Sequence, residues 1–184
     1  SKAAKPGRRE YEAFEDVDFA LKMAGAEHFF YMMGAGRAPY SKFWEQADHI
    51  YKKGDLILFN AEGHGPGGYA AQTIRTFSIG TPTQAAKDAY EVLREAQRKG
   101  AELVRPGKTA ADVYNAAIKV VKEAGYYPGQ HYGHSQGLDL SERPFVAPFD
   151  KTVLKPGMHL VVHPHVLIKG PGYEAGGVWT GDNY

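Results

Sequence analysis

Two rhythms of hydrophobic positions run through this chain, one with helical spacing and one made of short unbroken apolar runs. Between Glu10 and Glu27, Phe14, Val17, Leu21 and Ala24 fall at helical spacing and predict an amphipathic helix. The aromatic run His28 to Met33 predicts a buried strand, and Gly34 to Tyr40 a loop. Lys53-Gly54-Asp55 reads as a turn. Leu56 to Phe59 reads as a second buried strand, closing on the polar Asn60. Glu62 to Gly68 is glycine-rich and reads as a hairpin loop, with Tyr69 to Ile79 as the return strand. Such a pair brings Asn60 near Gln72 if both point to one face.

Two helices follow. Thr81 caps the first, with Pro82 in its first turn and Gln84 completing a capping box. Ala85, Ala89, Val92, Leu93 and Ala96 form its apolar stripe, and Gly100 stops it. After the turn at Pro106-Gly107, Thr109 and Asp112 cap the second helix. Val113, Ala116, Ala117, Val120, Val121 and Ala124 form its stripe, and Gly125 ends it. Met158 to Val162 predicts a strand delivering His163 and His165, which as residues two apart share a face. Lys169 to Gly177 reads as a loop and Val178-Trp179-Thr180 as the start of a last strand. Helices alternate with hairpins rather than with single parallel strands, which predicts the α+β class.

Composition narrows the function classes. The 184 residues suffice for one domain with a real core. A formal net charge of +1 supplies no bulk attraction to nucleic acid or to a membrane surface. The absence of cysteine excludes disulfides, thiolate metal ligands and cysteine nucleophiles, and fits a cytoplasmic protein. No run approaches the roughly 20 apolar residues of a membrane span, and no signal-peptide pattern is present. The chain has no initiator Met and stops at Asp182-Asn183-Tyr184 in what reads as mid-strand. The expectation is a single domain over 1–184, part of a longer polypeptide. No phosphate loop, nucleotide fingerprint or basic patch competes with a small-molecule site.

The polar chemistry gathers around Tyr132 to Pro144, where His134 lies in Gly133-His134-Ser135-Gln136-Gly137. That segment, together with Gly54 to Asn60, Gly68 to Phe77, and Lys155-Pro156-Gly157-Met158 through His163-Pro164, resembles the pita-bread family of methionine aminopeptidase, aminopeptidase P, prolidase and creatinase. Order and spacing match from about Phe30 onward. The resemblance implies a curved antiparallel sheet flanked by helices, with the active site on its concave face. It also implies a separate N-terminal domain in many members, absent from this sequence.

Metallopeptidases of that family hold two divalent ions with two Asp, one His and two Glu. Carried over by the resemblance, these positions fall on Asn60, Gln72, His134, His163 and about Thr180. A set of Asn, Gln, His, His and Thr has no formal negative charge. Two buried dications need carboxylates to offset them, so this set argues against the metal pair. A second catalytic histidine of the peptidases falls on Ser141, which counts against peptidase activity.

Three readings follow from the resemblance. The first, preferred here, is a metal-independent, creatinase-like hydrolase of a C–N bond in a small molecule. His134 is its general acid/base, and the site needs no cofactor. Asn60, Gln72, His163, Thr180, Tyr132 and Ser141 line its substrate. The segment Tyr132-Gly133-His134-Ser135 is similar to that of creatinase, which also has Asn at the position of Asn60. A neutral, histidine-lined pocket favours a neutral or anionic substrate, with Arg37 or Arg75 as a counter-charge, although Arg75 also reads as an ion-pair partner. The second reading is a binding module with a vestigial site. The third is a rebuilt mononuclear metal site on His134, His163 and His165, with His131 or His64 as other third ligands. Family habit implies a homodimer.

Overall fold

The computed structural model describes residues 3–36, 48–129, 131–168 and 176–184. Strands β1 (His28–Gly36), β2 (Leu56–His64) and β3 (Ala70–Ser78) form an antiparallel sheet in the order β1-β2-β3. Strands β1 and β2 both run further than their composition suggested. Gly34, Ala35 and Gly36 pair with Leu58, Ile57 and Leu56, so the described part of the expected loop is strand. Arg37 and Tyr40 lie outside the described residues. Likewise β2 continues through Glu62 to His64, and the turn is confined to residues 65–69. The cause is close approach between strands. A Cβ on Gly63 would sit 2.2 Å from the His28 carbonyl oxygen, so this glycine serves pairing rather than turning.

The helices are α1 (Glu10–Met23), α2 (Gln84–Ala101) and α3 (Ala110–Glu123). α1 stops short of Glu27 because the chain turns at Gly25, whose φ of +90° is in the glycine-favoured region. α2 is capped by Thr83, not Thr81: the Thr83 hydroxyl accepts from the Ala86 amide at 3.2 Å. Gly100 does not stop α2. It lies within the last turn, where a Cβ would reach 3.4 Å from both the Val113 carbonyl and Val162. α3 has the expected box, with reciprocal bonds between Thr109 and Asp112 of 3.1 and 2.8 Å. Leu93 and Ala96 of α2 pack with Val113, Ala117 and Val121 of α3, all fully buried. This apolar layer also takes in Leu160, Val162, Val166 and Val178 from the strands beneath.

Two more antiparallel sheets complete the described chain. One has the order β10 (Asp182–Asn183), β7 (Leu160–Val162), β5 (Gly133–Ser135), β6 (Glu142–Phe145). The other has β4 (Tyr127–Pro128), β8 (His165–Ile168), β9 (Gly176–Trp179). Antiparallel sheets flanked by helices are the α+β, pita-bread arrangement expected from the sequence. Among the described residues no helix is long and apolar enough to cross a membrane.

A polar seam fastens the end of the chain to β3. Ile74 bridges Gly181, and Arg75 pairs with Asp182 at 2.5 Å while donating to the Gly181 carbonyl at 2.8 Å. Arg75 is an ion-pair partner as read, but a half-exposed one. The Asn183 side chain accepts from the Gln72 amide and donates to its carbonyl. The Thr76 hydroxyl accepts from Trp179 N and donates to Trp179 O, each at 2.8 Å.

Replacing Thr76 by Val keeps the shape but removes both bonds to Trp179. The loss of both bonds is expected to cost about 1–3 kcal/mol. Denaturant unfolding followed by tryptophan fluorescence reads this. An unchanged midpoint would show that the seam holds without Thr76.

Candidate active site

Where the three sheets meet there is a cavity of about 380 Å³. β1 contributes Phe30 and Met32, β2 Glu62, β3 Gln72 and β5 His134. Leu140, Ser141, His131, His163, His165 and Trp179 close the remaining walls.

His134 is seated by the backbone before it. Gly133 has φ +149°, and a Cβ there would fall 2.0 Å from the Val161 carbonyl oxygen. Only glycine lets β5 lie so close to β7. The His134 ring places Nδ1 3.0 Å from the Ser135 carbonyl oxygen. A carbonyl can only accept, so Nδ1 carries the proton and Nε2 presents its lone pair. Nε2 lies 3.6 Å from Oε1 of Glu62.

Glu62 is the site residue that the sequence reading missed. It was assigned to a hairpin loop, yet on a strand it shares a face with Asn60 two residues earlier. It is 6% exposed and pairs across the ladder with Gln72. The Gln136 amide donates to its Oε1 at 3.0 Å and to the Leu140 carbonyl at 3.0 Å. The expected charge-free set is therefore corrected: a carboxyl group stands in the wall. Burial raises its pKa against the bond from Gln136, and burial lowers that of His134 against the Ser135 carbonyl.

The other imidazoles cluster nearby. His163 has ring-centroid distances of 5.4 Å to His134, 5.8 Å to His131 and 5.3 Å to Trp179. Burial pushes His163 well below its ordinary range, with the neighbouring histidines adding to the effect. His165 is lowered to about 4 and His131 also falls, both through burial. His163 Nδ1 and Gln72 Oε1 are buried with no hydrogen-bond partner among the described residues.

Several expected site residues have other work. Thr180 faces away, its hydroxyl donating to Gln97 of α2 at 3.4 Å. Strand alternation turns Trp179 and Gly181 inward instead, and a Cβ on Gly181 would sit 2.7 Å from the His163 Cβ. Tyr132 is fully buried in the apolar core; its hydroxyl accepts from the Gly129 amide, and its ring packs on Tyr114 and His165. Asn60 is fully buried and accepts from Gln72 Nε2 at 2.9 Å. Gln72, Ser141, His163 and His134 do line the cavity.

The residues present do not fit a pair of divalent ions. Two of the positions carried over by the resemblance, Asn60 and Gln72, are amides bonded to each other, Thr180 is turned toward Gln97, and a single carboxyl, Glu62, would face about four positive charges. Nor is a rebuilt mononuclear site assembled, since no three His, Asp or Glu among the described residues are placed to hold a metal ion. The His165 ring instead lies against Trp179 and Tyr132, and His64 Nε2 donates to the Leu138 carbonyl. An anionic substrate finds no counter-charge: no Lys or Arg is among the described lining residues, and Arg75 is engaged by Asp182.

Comparison with known proteins extends this picture. The family description "Metallopeptidase family M24" matches residues 1–184. The Xaa-Pro dipeptidase of Pyrococcus furiosus is 32% identical over 166 residues, covering 88% of this chain and 47% of the relative. A probable dipeptidase PepE of Mycobacterium tuberculosis is 34% identical over 169 residues, covering 90% and 45%. Among solved structures, the dipeptidase PepE of Mycobacterium ulcerans superimposes with a TM-score of 0.89 at 31% identity, over 99% of this chain and 49% of that one. The prolidase of Pyrococcus furiosus gives 0.88 at 31%, over 97% and 53%. The chain thus spans about half the length of the relatives it matches.

The buried imidazoles make stability depend on pH. Their folded pKa values lie below the ordinary 6.5, so the unfolded chain takes up protons first as pH falls. Their contribution is intact above pH 6.5 and declines toward pH 4, the folded value of His165. Glu62 has the opposite sign, since its raised pKa gives stability that is lost as pH rises, but it is one group against the imidazoles of His134, His163 and His165; His131 is exposed and adds little. The thermal midpoint is expected to drop between about pH 7 and pH 5, and His165→Asn to flatten that slope. A flat midpoint in the unsubstituted protein would refute the burial account. Separately, Gly181→Ala forces a Cβ against His163 and should destabilise by about 1–3 kcal/mol, readable in the same melts.

Proposed function

The chain belongs to metallopeptidase family M24, and from that premise we propose a creatinase-like hydrolase of a C–N bond in a small molecule, independent of a metal pair, with His134 as general acid/base. The observation that carries this reading is the His134 ring. Its Nδ1–H is committed to the Ser135 carbonyl, and its Nε2 lone pair stands in a largely apolar cavity with a few polar groups. A neutral imidazole can take a proton from water as the oxygen adds to the substrate's carbonyl or amidino carbon. The imidazolium then returns that proton to the leaving nitrogen.

The walls suggest the substrate class. Phe30, Met32, Leu140 and Trp179 offer apolar surface, while Gln72, Ser141 and His163 offer hydrogen bonds. With no basic side chain among the described lining residues, an uncharged amide, urea or amidine fits better than a carboxylate. The same reading has a cytoplasmic homodimer acting on a small molecule, with neither nucleic acid nor membrane as partner. A second reading, a binding module, draws support from the Asn60–Gln72 bond, which ties those two side chains to each other.

A turnover screen on small amides, ureas and guanidino compounds tests the proposal. His134→Gln is expected to lower kcat by about 10²-fold or more. Chelator treatment should leave kcat unchanged. Stoichiometric Zn or Fe whose removal abolishes turnover would sink metal independence. Absence of turnover combined with tight binding of a screened compound would favour the binding module.

A further inference from the structure

We propose that Glu62 is the second proton-transfer group of this site, its carboxyl and the His134 imidazole acting as a coupled dyad with Gln136 as the residue that positions Glu62. The inference rests on the hydrolase reading above and adds a residue to it. Three observations carry it. Glu62 lines the cavity, with Oε1 3.6 Å from the His134 nitrogen that bears the lone pair. That separation lies just beyond a hydrogen bond, and catalytic bonds are often long before substrate binds. Glu62 is also the only carboxyl among the described lining residues, and no Lys or Arg there offsets it. Finally, its Oε1 is fixed by the Gln136 amide, whose other hydrogen goes to the Leu140 carbonyl. Gln136 is 3% exposed, so the clamp is itself held.

A buried carboxyl with only the side-chain amides of Gln136 and Asn60 beside it, and no cation, is costly as an anion. A purely structural role would be met more cheaply by Gln at this position. Burial raises the Glu62 carboxyl and lowers the His134 imidazole, so each leans toward its uncharged form. In the proposed cycle the resting pair holds its one proton on Glu62. The chemistry then closes on itself. Nε2 takes a proton from water while the water oxygen bonds to the substrate carbon. Glu62 donates its proton to the substrate nitrogen as the C–N bond breaks and the nitrogen keeps the bonding pair. The imidazolium passes its proton to the Glu62 carboxylate, and the dyad is restored with one water consumed. This order differs from a lone histidine shuttle, because the leaving nitrogen is protonated by a different residue from the one that activates water.

The test uses the isosteric Glu62→Gln, with Glu62→Asp, Gln136→Ala, His134→Gln and the double variant. Expected for Glu62→Gln is a kcat loss of about 10²-fold or more with KM little changed. Glu62→Asp should recover part of that loss. The double variant should be no worse than the more damaging single change, as for groups that act as a unit. Gln136→Ala should lower kcat and shift the pH profile, which a merely structural glutamine would not do. If His134→Gln abolishes turnover while Glu62→Gln keeps it, the dyad is overturned and the hydrolase reading stands. If His134→Gln keeps turnover, both fall. An infrared difference spectrum against Glu62→Gln at about pH 6, above the ordinary carboxylate range, needs no substrate. A protonated-carboxyl band there supports the dyad, and its absence overturns it.

Discussion

Three backbone approaches closer than any side chain permits hold this site together. A Cβ on Gly63 would meet the His28 carbonyl at 2.2 Å, one on Gly133 the Val161 carbonyl at 2.0 Å, and one on Gly181 the His163 Cβ at 2.7 Å. These glycines lie where β1 meets β2, where β5 meets β7, and where the end of the chain meets β3. Each draws one wall of the cavity inward. The functional groups follow from that geometry: Glu62 precedes the first, His134 follows the second, and His163 faces the third. Well-packed interiors yield little to added volume, so the spacing of the polar groups is set by main chain more than by side-chain choice.

The same glycines explain what the sequence did and did not reveal. The α3 cap was legible because Thr109 and Asp112 act locally, through bonds within one turn. The apolar stripes of α2 and α3 were legible in part: Ala89, Leu93, Ala96, Val113, Ala117 and Val121 are buried, whereas Ala85 and Ala124 are exposed and Ala86 and Ile118 take up the core positions beside them. Gly63 was misread as a loop signal because a glycine demanded by a tertiary approach has the same letter as one demanded by a turn. Ending β2 at Asn60 then hid Glu62, the one lining carboxyl. His134, His163, Gln72 and Ser141 come from separated segments that matched a family pattern in order, and the fold brings them to one cavity. Thr180 instead faces α2, because a strand's period of two sends alternate residues to opposite faces. Tyr132 stands beside an active segment in sequence while its ring belongs to the core.

Electrostatically the cavity carries little charge. Burial pushes the imidazoles of His134, His163 and His165 toward their neutral forms, and the Glu62 carboxyl the same way. In such surroundings a single proton has large leverage, because moving it creates charge where little solvent screens it. The basic and acidic side chains that would damp this effect lie outside: Arg75 is engaged by Asp182 at the seam, and the charges of α2 pair with one another on its exposed face.

The hydrogen bond between Asn60 and Gln72 also sets what this corner of the cavity tolerates. An acid at one of the two positions leaves a buried carboxylate facing an amide. Acids at both put two like charges at a separation near 2.9 Å with no cation between them. Gly181 cannot be enlarged without displacing His163. The amide pair thus answers polarity with polarity, and the corner stays uncharged without help from an ion.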